Sequence, residues 1–446
     1  MIEEASREMN KTLGRALFPL ILIVLPPVFA QEPAKPPPSP ALKLTFTERI
    51  RQESWDNTLS LDEAAPDSTA YVRFRTSLLA QWRPADRFEL AVRLTNENRY
   101  YISPKQDARI GKNYDLNEVF FDYLYVHWKN PGGLPFSLKL GRQDLMLGEG
   151  FVIFDGGPLD GSRSAYFNAA RLDYFINDRN SIMLFFCRQP ATDIWLPVIN
   201  DSGQKMVEQD EQGFGAYYSG TLRDFKIEGY LFRKNIFATG ELPSSDYNVL
   251  GGRAAVPLTD GLSLTAEGAL QSGKIEARSR HGLGGYLHLD AQTRLRFPFP
   301  SVVTLGSFYL SGDDPATPDV YEGWESSFSR WPKWSESLIY LQARETRPAD
   351  WTNIFSFYAN LAFMPAEKAR LDLAWHHLGA PKTTLPSPLL SGGGKDRGDL
   401  IIAKLTYDLN SHISGHFLWE HFLPGDFYYD GARAYAWVRF ELMFRY

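Results

Sequence analysis

Apolar and polar residues alternate along most of this chain, and the pattern is cleanest in its last thirteen residues, AYAWVRFELMFRY. Ala436, Val438, Phe440, Leu442, Phe444 and Tyr446 form one face, and Trp437, Arg439, Glu441, Met443 and Arg445 form the other. Successive side chains of a β-strand point to opposite sides, so the segment predicts a strand with one apolar and one charged face. A helix would place Arg439 and Leu442 on one stripe and leave no clean apolar face. In a water-soluble sheet, a second protein layer would have to cover the apolar face. In a transmembrane barrel lipid covers it, and the charged face looks into a lumen.

The same theme, about ten alternating residues and then a break, repeats from Lys43 onward, and short and long breaks take turns. Short connections are predicted at Arg83–Ala85, Lys129–Leu134, Asn177–Asn180, Asp224, Leu258–Gly261, Phe297–Pro300, Met364–Ala366 and Leu409–Asn410. Long ones are predicted at Ser54–Ser68, Tyr100–Leu116, Asp144–Ala165, Pro190–Gln212, Asn235–Asp246, Ser272–Gly282, Gly312–Trp351, Leu378–Gly398 and Phe422–Ala432. Ser337–Arg344 looks like one extra strand but breaks the rhythm, and is assigned to its long loop. Eighteen segments remain. The predicted fold is all-β: a transmembrane antiparallel up-and-down barrel with short periplasmic turns and long extracellular loops. Asp144–Ala165 and Gly312–Trp351 are the candidates for folding inward to narrow a pore.

Individual segments fit this reading. Phe88, Leu90, Val92 and Leu94 share one face, as do Leu287, Leu289, Ala291, Leu295 and Phe297, and again Phe355, Phe357, Ala359, Leu361 and Phe363. Trp82, Trp128 and Tyr446 lie near strand ends, where an interfacial aromatic girdle belongs. Glu48 interrupts the apolar face of the first strand, and marks either a bulge or the membrane boundary.

Bulk composition alone would look soluble, with 44% apolar residues, a net charge of −6 and a mean hydropathy of −0.30. A barrel gives this average because alternate residues face water. Cys187 is the single cysteine, which rules out an intrachain disulfide and a cysteine-clustered metal site. At the N-terminus, Lys11 and Arg15 precede the apolar run Ala16–Leu25, and Val28-Phe29-Ala30 presents small residues to a signal peptidase. Residues 1–30 are therefore expected to be a cleaved export signal, and the acidic residues before Met9 point to Met9 as a start. Residues 31–42, with Pro33–Pro40, are an extended periplasmic tether, and residues 43–446 form the barrel.

The charged faces carry the functional content. Arg49 and Arg51 on the first strand, Arg73 and Arg75 on the second, and Arg93 and Arg99 on the third face the lumen. Barrel closure brings the last strand beside the first, adding Arg439 and Arg445. Glu53, Glu89, Glu97 and Glu441 share that wall. Elsewhere Arg253, Arg294, Arg296, Arg370 and Lys404 face inward, alongside Glu267, Asp290, Asp372, Asp408 and Glu420. These charges either solvate a water-filled pore or form an arginine ladder, whose guanidinium forks match carboxylates.

Several segments resemble the bacterial alginate export outer-membrane proteins. They are Gly141-Arg142-Gln143-Asp144-Leu145 with Gly148-Glu149-Gly150, Ser311-Gly312-Asp313-Asp314, His421–Phe427, and the early Arg49-x-Arg51. The resemblance covers most of residues 43–446. It implies an eighteen-stranded barrel and an electropositive pore passing a polyuronate outward. The inward acids depart from such a pore by making the lumen mixed. Strict alternation would aim Arg142 at lipid, so it is expected at the rim or after a bulge at Gly141.

No catalytic or cofactor motif stands out. Gly392-Gly393-Gly394-Lys395 is followed by Asp396 and lacks the form of a phosphate loop. His412 and His416 have helical spacing in a turn–strand segment. Asp313, Asp314 and Asp319 could hold calcium, although solvated loop acids are the simpler reading. No cofactor, no metal and no nucleic acid are expected. The expected partners are outer-membrane lipid, the barrel-assembly machinery reading the last strand, and an anionic polysaccharide. The alternatives are an uptake porin for small anionic solutes or oligosaccharides, and an outer-membrane hydrolase with its site in the long loops.

Overall fold

The computed structural model describes residues 41–446 apart from 65–66, 107–110, 156–166, 241, 294–300, 331–332 and 348–349. The export signal and nearly all of the tether lie outside the described residues. Eighteen barrel strands follow in chain order. They are β1 Ala41–Asp56, β2 Thr69–Ala85, β3 Phe88–Ser103, β4 Tyr114–Lys129, β5 Phe136–Gln143 and β6 Phe167–Asn177. Next come β7 Asn180–Gln189, β8 Glu211–Leu222, β9 Phe225–Ile236, β10 Ser245–Thr259, β11 Leu262–Ile275 and β12 Arg278–Thr293. The last six are β13 Ser301–Leu310, β14 Ile354–Ala366, β15 Ala369–Gly379, β16 Asp396–Asp408, β17 Ile413–Pro424 and β18 Tyr435–Arg445. Each pairs antiparallel with its sequence neighbours, and β18 returns to β1 in the register Arg51↔Glu441 and Glu53↔Arg439. Closure leaves no terminal strand without a partner, as a lipid environment requires.

The exterior is apolar. Leu94, Leu287, Phe357 and Phe440 are exposed on it, with Trp82, Trp128 and Tyr446 near strand ends. A closed barrel wearing this band is a bacterial outer-membrane protein. β1 starts at Ala41, so it takes in two residues assigned above to the tether.

Three expectations need correction or sharpening. Ser272–Gly282 is not a long loop, because β11 and β12 run on and meet in a two-residue turn at 276–277. Glu276 makes that turn possible by adopting φ 50°, and the polar residues around it still alternate. Ser337–Arg344 is no barrel strand; Leu338–Glu345 forms a helix, α1, inside its loop. At Glu48, β1 pairs with β2 without a register shift, so no bulge is present. Its carboxylate accepts the Thr76 hydroxyl at 2.6 Å.

Two long loops fold into the cylinder over their described residues. The third loop, described over 144–155, and the seventh, described over 311–330, 333–347 and 350–353, supply Leu145, Phe151, Ile153, Trp324, Phe328, Leu338 and Leu341 to a buried cluster. Lumen-facing wall residues complete it, among them Tyr217, Phe232, Tyr286 and Phe308. The two loops bond to each other through Phe154 N–H to Phe328 O and Phe328 N–H to Val152 O, both 3.0 Å. Glycines on the wall make room for the seats. A Cβ on Gly213 would lie 2.5 Å from the Phe328 ring, and one on Gly284 would lie 2.7 Å from Trp324. The fourth loop, 190–210, does something different: above the end of β5 it pairs Ile199 with Val119 along the edge of β4, mending the wall.

Candidate functional site: the lumen walls

The wall built by β18, β1, β2, β3 and β4 is a continuous guanidinium–carboxylate network. Arg51 Nε donates to Glu441 at 2.7 Å. Glu53 is fully buried and gathers Arg439 at 3.4 Å, Arg51 at 3.5 Å and Arg73 at 3.8 Å. The Tyr71 hydroxyl donates to the same carboxylate at 2.6 Å. Glu97 takes Arg75 at 3.1 Å, Arg73 at 3.4 Å and Arg49 at 3.7 Å. The register explains the convergence, since Arg49↔Arg75 and Arg51↔Arg73 face each other directly across β1 and β2. Like charges opposed in this way would repel. The acids one strand over are what make the arrangement possible.

Sequence reasoning missed one of those acids. Strict alternation puts Asp122 on the lipid face with Leu124 and Trp128. A bulge opposite Arg93/Leu94 leaves Asp122 as an unpaired extra residue of β4 and turns it inward. There it accepts Arg93 at 2.7 Å, Arg75 at 3.1 Å and the Thr95 hydroxyl at 3.1 Å. The available signal was the FFDY run itself, because a mid-strand carboxylate facing lipid is costly.

The other predicted arginines separate into groups. Arg93 lies over the Tyr123 ring at 3.5 Å, and Arg99 faces Tyr71 at 5.2 Å. Arg445 has inward parity but is exposed, one residue from the terminus. Arg294 and Arg296 lie outside the described residues. Arg142 is at the rim, as expected, and follows Gly141 at φ 117°. It is buried there by the fourth loop, whose Asp193 it holds through two bonds of 2.7 and 2.8 Å. Arg253 belongs to the opposite wall.

That opposite wall, β8 to β13, is built from tyrosines and acids. Tyr230 and Tyr286 donate to Glu267 at 3.0 and 2.9 Å, and Tyr217 stacks on Tyr230 with an interplanar angle of 2°. Its charges reach the loops as well as neighbouring strands, and Lys234 pairs with Glu211 of β8 at 3.1 Å. Lys234 binds Glu325 of the seventh loop at 3.0 Å. Arg253 binds Glu149 of the third loop at 2.8 Å and Glu228 at 2.7 Å. Glu149 also receives Lys333 of the seventh loop, and His288 Nε2 lies 3.4 Å away. Desolvation alone would raise the Glu149 carboxyl, but His288, Lys333 and Arg253 outweigh it and hold the group well below the usual range. Burial pulls the Lys333 ammonium down, against the pull of Glu149. From the seventh loop, Glu336 crosses to Arg439 at 2.9 Å, and Tyr340 of α1 packs on Trp55 at 4.8 Å.

The remaining chemical candidates are accounted for by local partners. Asp313 pairs with Arg278, and Asp314 with Lys382. Ser356 Oγ lies 3.3 Å from His376 Nδ1, but both side chains are buried, and among the described residues no carboxylate completes the pair. Among the described residues, no group of three or more His, Cys, Asp or Glu could hold a metal ion.

No protein-family model matches the chain, and no curated protein matches it. Solved structures do. OccK2 (OpdF) of Pseudomonas aeruginosa, solved in complex with glucuronate, superposes with a TM-score of 0.57 at 12% identity, over 91% of this chain and 97% of that one. OpdK of the same organism, solved with vanillate, gives 0.56 at 10% identity, over 90% and 98%. OccD3 (OpdP), also from P. aeruginosa, gives 0.56 at 11% identity, over 91% of both chains. At such identities the likeness is one of fold: this chain is an eighteen-stranded barrel built on the same plan as these Pseudomonas proteins.

Proposed function

We propose that this chain is a passive outer-membrane channel selective for small carboxylate-bearing solutes, such as sugar acids and aromatic acids. The observation that carries the reading is the centre of the arginine wall. Arg49, Arg51, Arg73, Arg75, Arg93, Arg99 and Arg439 gather there around Glu53, Glu97, Asp122 and Glu441 from the wall and Glu336 from the seventh loop. Glu89 is matched by Arg83 towards the short turns, and Glu118 by Ser202 in the fourth loop. Seven guanidinium groups are thus concentrated beside the loop that narrows the cylinder. Such a concentration lowers the cost of moving an anion through a low-dielectric passage. The glucuronate and vanillate found with barrels of the same plan are solutes of this class.

Outward passage of a polyuronate, implied by the family resemblance, remains the second reading, because a uronate chain carries the same carboxylate at every residue. Two loops seated inside the barrel suit a monomer better than a polymer. The last strand, ending in Tyr446, is assigned as the signal for the barrel-assembly machinery.

Planar-bilayer recordings on the purified protein test the function. Glucuronate is expected to carry current and to permeate faster than glucose, and Arg73→Ala with Arg93→Ala is expected to lower the anion/cation permeability ratio. Glucuronate excluded as strongly as a cation would sink the proposal. Block by oligouronate at concentrations far below those of glucuronate would favour the polymer reading.

A further inference from the structure

We propose that Arg253, His288 and Lys333 form the channel's docking site for a solute carboxylate, and that Glu149 fills that site as a tethered stand-in which the solute displaces. The inference rests on the small-anion reading above and names where in the lumen the anion binds.

Reachability separates this site from the arginine wall. The side chains of Arg49, Arg51, Arg73, Arg75 and Arg439 are 1–5% exposed and committed to buried acids, so a passing solute cannot touch them without dismantling the wall. Glu149 is 28% exposed, and its partners Lys333 and His288 are 19% and 14% exposed. Charge balance points the same way. When Glu149 leaves, Arg253 keeps Glu228 and His288 keeps Asp290 at 2.7 Å. Lys333 has no other carboxylate within ion-pair distance among the described residues. One negative charge is then missing, and one monocarboxylate restores it.

Glu149 sits at the tip of a tight turn between Gly148 at φ 57° and Gly150 at φ 79°, conformations that disfavour other residues. Gly150 is held by Leu147 O at 2.8 Å, so exchange needs only a rotation of the Glu149 side chain. Beside the site, Tyr286 stacks on His288 with an interplanar angle of 7°, and Lys333 sits 4.3 Å from the Tyr286 ring centroid. Trp334 stacks on Phe308 at 3.8 Å. Tyr286 and Phe308 are buried and back the half-buried His288 and Trp334 rings, and these two are left to meet a pyranose or benzene ring whose carboxylate has taken the place of Glu149.

Wild-type protein, Glu149→Gln, Glu149→Asp and Lys333→Gln are compared in planar bilayers with sodium glucuronate, and with glucose as neutral control. Removing a built-in competitor should lower the half-saturating glucuronate concentration of Glu149→Gln about tenfold and leave the glucose response unchanged. Glu149→Asp keeps the charge and should stay near wild type, whereas Lys333→Gln should raise the concentration. Because these changes sit on loops, a heat-modifiable gel shift confirms that each barrel is intact. Equal half-saturating concentrations in wild type and Glu149→Gln would overturn the stand-in while leaving the small-anion reading intact. Absence of any glucuronate response in wild type and every variant would overturn both.

Discussion

The two walls of the lumen solve the burial of charge in different ways. On the β18–β4 side, charges are neutralised across neighbouring strands, as in Arg51 with Glu441 and Arg75 with Glu97. On the β8–β13 side loop acids are added to strand acids, as Glu325 joins Glu211 on Lys234 and Glu149 joins Glu228 on Arg253. The first wall has most of its pairs once the barrel closes, with Glu336 of the seventh loop added at Arg439. The second is complete only when the third and seventh loops are seated. The arginine wall therefore supplies a fixed field, and the tyrosine wall supplies contacts that can be made and broken.

Glu53 gives the sharpest way to break this contrast. Glu53→Gln removes the acid shared by Arg51, Arg73 and Arg439, and breaking a buried ion pair by removing one partner costs about 3–5 kcal/mol. Urea unfolding in detergent micelles should show a loss of that order. A loss no larger than that of Tyr71→Phe, about 1 kcal/mol for one hydrogen bond, would show that the wall does not act as a network. Phe328→Ala should remove about 3 kcal/mol of packing from the seat over Gly213. Here the loss falls on the loop, so single-channel conductance rises while the urea midpoint of the barrel moves little.

Arg142→Ala should free the fourth loop from the rim, since it removes both bonds to Asp193. The expected readout is rapid proteolytic nicking near Ile194–Ile199 with the barrel otherwise intact. The smallest effect concerns Asp144, at the root of the third loop. Burial pushes its carboxyl up from 3.8 to about 6, against the Tyr123 hydroxyl and Arg93. A raised acid favours the folded state below its ordinary value, and that advantage is lost as pH rises through about 6. Between pH 4 and 7 the wild-type urea midpoint should fall more than that of Asp144→Asn. Superimposable profiles would remove Asp144 from the account.

Much of this molecule is legible in its sequence because alternation and turn spacing report directly on which face meets lipid. Arg49, Arg51, Arg73, Arg75, Arg93 and Arg439 fall on the wall where period-two counting puts them. The method fails where the backbone adds a residue, as at Asp122, or where polar residues keep alternating past the membrane, as at Ser272–Gly282. It also cannot see partners brought together by closure of loops. Gly148-Glu149-Gly150 is visible as a motif, but nothing local shows that Arg253, His288 and Lys333, distant in sequence, converge on it. The seventh loop is visible as long and rich in tryptophan and serine. Its seats on Gly213 and Gly284 are recorded only as two small residues in strands far away.

The arginine wall has a consequence for how the protein is made. Its central contacts join β1 to β18, so Arg51 and Glu53 wait for partners that are synthesised last. Until Arg439 and Glu441 arrive, the first strand carries charges that neither lipid nor its own neighbour β2 can balance. A chain cut short before β18 would expose this debt in the membrane, and the seam thus distinguishes a closed barrel from one that lacks its closing strand.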